Sequence, residues 1–228
     1  PADHFIVDRL QATQKAVTEH LQNYNLSLAI ETLREFTVSD FADWYVEMHK
    51  IEKNTALLSA LLHEIITLWH PLAPFVTEAI YQDMYRDASN PNDLLLVAPY
   101  QGVKLPVADP ALVTLFAKGQ QLVTDIREIR NTYGIKPQEE LGIQFTVPVE
   151  DTLTSLLTLA KVNPKTSGTN TVTVGEDSFP ALVFIDSVDI AAEKARLTKE
   201  LTGAQQHLVS LTAKLQNEKF MSSAPEAI

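Results

Sequence analysis

The sequence predicts a mainly α fold: an antiparallel four-helix bundle, then a small α/β subdomain, then a coiled-coil helix. Three observations carry that expectation. Through the first 90 residues, apolar side chains recur at steps of three and four, the spacing of one helix face. β-rich runs occur only after that, up to about residue 188, so the period changes near residue 90. From Ile190 onward, Leu and Ile form an a/d seam in which Lys194 occupies the one omitted core position.

The first helix is expected from Asp3 to about Tyr24, with Phe5, Ile6, Leu10, Val17 and Leu21 as its stripe. Ser27 can cap a second helix running to about Lys50, whose stripe is wide and aromatic and includes Phe36, Phe41, Trp44 and Tyr45. Residues 54–70 are apolar around most of their circumference, which predicts a helix buried between neighbours. Pro71 and Pro74 end it, and Pro74 suits the first turn of a fourth helix reaching about residue 86. The run ASNPN at 88–92 is turn chemistry and places a boundary there. Beyond it, 94–100 reads as a short buried strand, 109–133 as a helix and 142–149 as an alternating strand. A helix fits 151–161, and 170–174 and 181–188 read as strands. The expected units are therefore 1–90, 91–189 and 190–228.

In the last unit, Ile190, Leu197, Leu201, Ala204, Leu208, Leu211 and Leu215 set spacings of 7, 4, 3, 4, 3 and 4. So narrow a seam needs a partner helix. Ser223-Ala-Pro-Glu226 has the form of a capping box, so the sequence is expected to stop just as a returning arm begins. Pro1 in place of Met points the same way, to a piece of a longer chain.

The 228 residues are 45% hydrophobic and 21% charged, which excludes a disordered tail. No apolar run approaches the roughly 18 residues of a membrane span. The absence of Cys removes disulfides, thiolate nucleophiles and Cys-ligated metals, and reads towards a reducing, cytoplasmic setting. Eighteen Lys plus Arg against 29 Asp plus Glu give a net charge of -11, which by itself argues against a nucleic-acid partner. By segment the picture differs. Residues 1–90 carry 6 basic and 13 acidic side chains, 91–190 carry 7 and 12, and 191–228 carry 5 and 4, so only the last segment is not acidic.

No catalytic centre or metal site is expected. His63-Glu64 begins like the H-E-x-x-H zinc motif, but Thr67 stands where the second ligand belongs. Phosphate loops and a nucleophile elbow are absent. Lys219-Phe-Met-Ser-Ser223 faintly resembles the K-M-S-K-S loop of class I aminoacyl-tRNA synthetases, but it lacks the second Lys and sits in an expected hairpin turn, so the match reads as coincidence. What remains is binding. Arg127 and Arg130 share one helical face at spacing three and can clamp phosphates; alternatively they pair with neighbouring acids such as Asp125 and Glu128. Trp44, with Lys50 beside it, can stack unpaired bases or serve as core.

Four stretches carry a family resemblance over essentially the whole chain. They are Asp40-Phe-Ala-Asp-Trp-Tyr-Val-Glu47 with Lys50, His70-Pro-Leu-Ala-Pro-Phe-Val-Thr-Glu78, Ile126-Arg-Glu-Ile-Arg130 with Gly134-Ile-Lys-Pro137, and Asn217-Glu-Lys-Phe-Met-Ser-Ser-Ala-Pro225 after the heptads. They resemble the carboxy-terminal part of bacterial valyl-tRNA synthetases. The resemblance implies that 1–90 is an anticodon-binding bundle, 91–189 a connector and 190–228 the first half of a coiled-coil arm reaching the outer corner of the tRNA. About 30 helical residues, Ile190 to Lys219, would project about 45 Å. It implies valine tRNA and the rest of the synthetase as partners, no membrane, a monomeric parent, and arm-mediated self-association as a second state of the fragment. ATP and Mg²⁺ belong to the parent's catalytic domain, with no cofactor in this part. The residues expected to meet RNA are Trp44, Lys50, Arg127, Arg130, Lys194, Arg196, Lys199 and Lys214. The competing expectation is an acidic helical assembly module with no RNA role.

Overall fold

The computed structural model describes residues 1–90, 92–98, 105–148, 153–165, 167–176 and 178–216, with Lys214 described by its backbone alone. The protein is mainly helical with one small sheet. Helix α1 (Ala2–Gln22) turns through Tyr24, in the left-handed region at φ 58°, into α2 (Leu26–Glu35). Asn25, not Ser27, is the residue before that helix, and no side chain caps it.

The second helix continues to Glu52, but its middle, Phe36–Tyr45, winds as a π segment before α3 (Val46–Glu52). Its buried residues Phe36, Asp40, Phe41 and Tyr45 include pairs four to five apart, the spacing of the wider π turn. Lys53, also left-handed, ends it, and Asn54 accepts the Leu57 N–H at 3.2 Å to start α4 (Thr55–Trp69). Pro74 then opens α5 (Pro74–Met84).

The expected strand at 94–100 is not formed in its described part. Leu95–Val97 is a 3₁₀ turn instead, and the end of the run, Pro99 and Tyr100, lies outside the described residues. Glu78 sets this turn by accepting the N–H groups of Leu95 (3.2 Å) and Leu96 (3.1 Å). Leu95 finds a pocket against Ile66 and Tyr81, whereas Leu96 and Val97 are exposed.

Helix α6 (Pro110–Thr132), capped by Asp109, joins the two halves. One end packs on α1, with the Phe5 and Phe116 rings 4.8 Å apart. Farther along, Gly119 lies so close to α7 (Thr154–Ala160) that an added Cβ would fall 2.3 Å from Leu156 Cδ1. One buried cluster therefore runs continuously from Ala2 to Ile185.

The sheet has the order β2-β1-β4-β3, from β1 (Leu141–Phe145), β2 (Val162–Pro164), β3 (Thr171–Val174) and β4 (Ala181–Phe184). The β1–β2 pair is parallel and bridged by α7; the other pairs are antiparallel. Sequence reasoning missed β2, a three-residue edge strand ending in proline. Helix α8 (Ile190–Leu215) follows β4 and leaves the body. Its 26 residues span about 39 Å at 1.5 Å each. The Ser223–Glu226 capping signal and the Asn217–Pro225 motif lie outside the described residues. Among the described residues no helix is long and apolar enough to cross a membrane.

Candidate nucleic-acid interface

The π segment decides which way its aromatic pair points. Tyr45 turns inward: its hydroxyl donates to Asp3 Oδ1 at 2.8 Å, and burial, then Asp3, holds it far above the ordinary tyrosine value. Asp40 also turns inward and accepts from Arg9 Nε at 2.8 Å; burial outweighs that arginine and pushes its carboxyl up. Trp44 instead stays half-buried at the surface. Its ring meets Phe116 edge-on, 6.4 Å between centroids at 80°. The Arg127 guanidinium lies over the indole at 5.3 Å from the ring centroid. Phe5, Phe116, Trp44 and Arg127 thus form a ladder from the core to solvent, contributed by α1, the π segment and α6. Phe116 had no signal in the sequence beyond its place in a helical stripe.

Arg127 and Arg130 do not form a fork. Arg127 is exposed, whereas Arg130 is 6% exposed and its guanidinium is committed to main chain. Nη1 donates to the carbonyls of Lys136 (3.2 Å) and Glu139 (2.7 Å), and Nη2 to those of Ala160 (3.1 Å) and Lys161 (3.0 Å). Desolvation lowers its pKa, with Glu139 opposing. Four carbonyls occupy the donors a phosphate would need, so Arg130 is a structural tie between α6, the turn at 134–139 and the α7–β2 junction. Arg130 is one of the residues expected to meet RNA; in the structure its guanidinium faces these four carbonyls.

The remaining expected residues divide. Lys50 is exposed and paired with Glu47 at 2.5 Å. On α8, Arg196 is gripped from both sides by Glu193 and Glu200. Lys194 and Lys199 are exposed and make no ion pair among the described residues. Lys214 lies in the helix, with its side chain outside the described residues. At about 100° per residue, Lys194 sits beside the Leu seam, whereas positions 196, 199 and 214 fall within about 60° of one another on the opposite side. The cavity between α6 and β3, about 600 Å³, is lined by Asp125, Glu128 and Glu176 and repels phosphate. No group of residues suited to hold a metal ion occurs among the described residues.

The body is thus a helical unit with one aromatic-cation edge, tied through α6 to a sheet from which a long helix carrying both cations and acids departs. Residues 3–145 match the model of the anticodon-binding domain of tRNA ligases, and the chain belongs to that family. Residues 189–228 match the model described as the valyl tRNA synthetase tRNA binding arm. Curated relatives include the valine-tRNA ligases of Mycolicibacterium paratuberculosis, 33% identical over 98% of this chain, and Francisella tularensis, 32% identical over 100% of it. That of Mycobacterium leprae is likewise 32% identical over 100% of the chain. The chain spans 27% of the length of each of these relatives.

Proposed function

We propose that this chain is the non-catalytic, tRNA-binding part of a bacterial valine-tRNA ligase that joins valine to its tRNA with ATP and Mg²⁺ in the cytoplasm. The observation that carries the reading is the presence, in one chain and in order, of matches to an anticodon-binding domain and to a tRNA-binding arm. In this assignment residues 1–90, an antiparallel four-helix arrangement, meet the anticodon stem-loop. Residues 91–189 set the angle of the arm, and 190–228 reach the outer corner of the tRNA. The parent is monomeric, and catalysis lies in the rest of the polypeptide.

The chemistry supports a division of labour between the two contacts. Trp44 offers a sequence-tolerant stacking edge with Arg127 beside it, and Lys194 and Lys199 offer phosphate contacts on the arm. The acidic remainder disfavours loose binding elsewhere.

The test is binding of valine tRNA and a noncognate tRNA at two salt concentrations. Removing Lys194 and Lys199 together should weaken both complexes alike and reduce the salt slope by about 1 for each phosphate left without its cation. Trp44→Ala should cost about 1–3 kcal/mol of binding if a base stacks there. An absence of tRNA-dependent signal at low salt, with concentration-dependent self-association through α8, would instead favour an assembly module. The uncovered leucines of α8 are the observation behind that second reading.

A further inference from the structure

Hydrogen bonds fix how the helices are staggered. Trp69, the last residue of α4, donates from Nε1 to Thr37 Oγ1 at 3.0 Å. Eleven helical residues, Leu26 to Phe36, precede Thr37 on its own rod, so the α1–α2 hairpin overhangs the end of α4 by about 16 Å at 1.5 Å per residue. The face of α2 that meets Trp69 at Thr37 carries Ile30 and Leu26 seven and eleven residues earlier, on the overhang. Both are exposed, at 42% and 54%. Beyond the end of α4 the chain turns into α5, whose first turn exposes Phe75 at 90% and Val76 at 58%. Of the nine large apolar side chains exposed in residues 1–90, only Ile51 and Met84 lie away from this end.

Such a concentration marks a docking surface. Its chemistry selects the kind of partner. A phosphate backbone is bound by Lys and Arg, and the step offers apolar side chains on a segment whose 13 acids outnumber its 6 bases. The relatives continue for nearly three quarters of their length outside the portion that this chain matches.

We propose that the step formed by Leu26, Ile30, Phe75 and Val76 is the seat for an apolar helix of the remaining synthetase polypeptide, and that tRNA does not touch it. This rests on the functional reading above. It places the protein-protein contact of the helical domain at the α1–α2 and α4–α5 turns, leaving the Trp44–Arg127 edge for RNA.

These 228 residues contain no Cys, so labelled peptides from them report only the introduced positions. In the full-length enzyme, Ile30→Cys, Phe75→Cys and, as control, Met84→Cys are labelled with a maleimide and read peptide by peptide. These are surface positions in the isolated chain, so the substitutions should change folding little. The expected result is labelling at 30 and 75 about tenfold or more slower than at 84, without tRNA and unchanged by adding it. Equal labelling at all three positions would overturn the proposal. So would protection that appears only with tRNA, which would make the step an RNA contact, or protection that grows with protein concentration, which would make it a self-interface. Valine tRNA binding is measured on the same samples: protection that persists where tRNA fails to bind keeps the seat and rejects the functional reading.

Discussion

The body and the arm use charge and apolar surface in opposite ways. In the body, several cations are turned onto the fold's own oxygens: Arg9 on Asp40, Arg130 on four carbonyls, Lys165 on Asp186. Apolar stripes there close on one another into a continuous core. On α8, Ile190, Leu197, Leu201, Leu208, Leu211 and Leu215 are all exposed, and Lys194 and Lys199 face water. Net charge conceals this. What separates a structural cation from an available one is whether main-chain or carboxylate oxygens already surround it.

The comparison breaks most severely at Arg130. Arg130→Met should leave four carbonyls without their donor, one of them in a fully buried bond, and cost about 1–3 kcal/mol. Thermal melting of the body should fall by many degrees while the helical signal of α8 persists. A melt within a degree of wild type would show that the carbonyls find other donors.

A smaller effect of opposite sign is expected on the arm. At Gly203 the space a methyl group would take has nothing within 4 Å, so Gly203→Ala meets no neighbour and should stabilise α8 by about 1 kcal/mol. Hydrogen exchange along α8 should slow, with the body unchanged. In the body the same substitution at Gly119 would strike Leu156 instead.

The smallest expected effect concerns pH. Asp186 accepts from Lys165 Nζ at 2.8 Å and from the N–H groups of Thr169 and Asn170 at 2.7 and 3.0 Å. These hold its pKa down, from 3.8 to about 2, with the lysine hydrogen bond as the largest cause. A depressed folded-state value stabilises above the unfolded value and is lost as pH falls through the folded one. Wild type should therefore exceed Asp186→Asn in stability at pH 5–7, and the gap should close between about pH 4 and pH 2. A gap that stays constant across that range would remove the carboxylate's charge from the account.

Regular stripes are legible in the sequence because each depends on its own residues. Phe5 to Leu21 and the heptads of α8 have the correct period whatever packs on them. The π segment shows there only as an unusually broad aromatic stripe, since its turn width follows from burying Phe36, Phe41 and Tyr45 together. Leu94-Leu-Leu-Val97 misleads because three consecutive leucines imply a buried strand, whereas Glu78 holds the backbone in a turn from 17 residues away. At the candidate site, residue type alone singles out Trp44 and Arg127. The fate of Arg130 is not readable, because its acceptors at Ala160 and Lys161 lie 30 and 31 residues along the chain.

Helix α6 presents Arg127 to the indole and, three residues later, Arg130 to the carbonyls at the foot of the sheet. It therefore works as a crankshaft. A roll about its axis that lifted one guanidinium from Trp44 would draw the other out of its socket. One helix therefore touches both the surface near the π segment and the junction beside the sheet from which α8 departs.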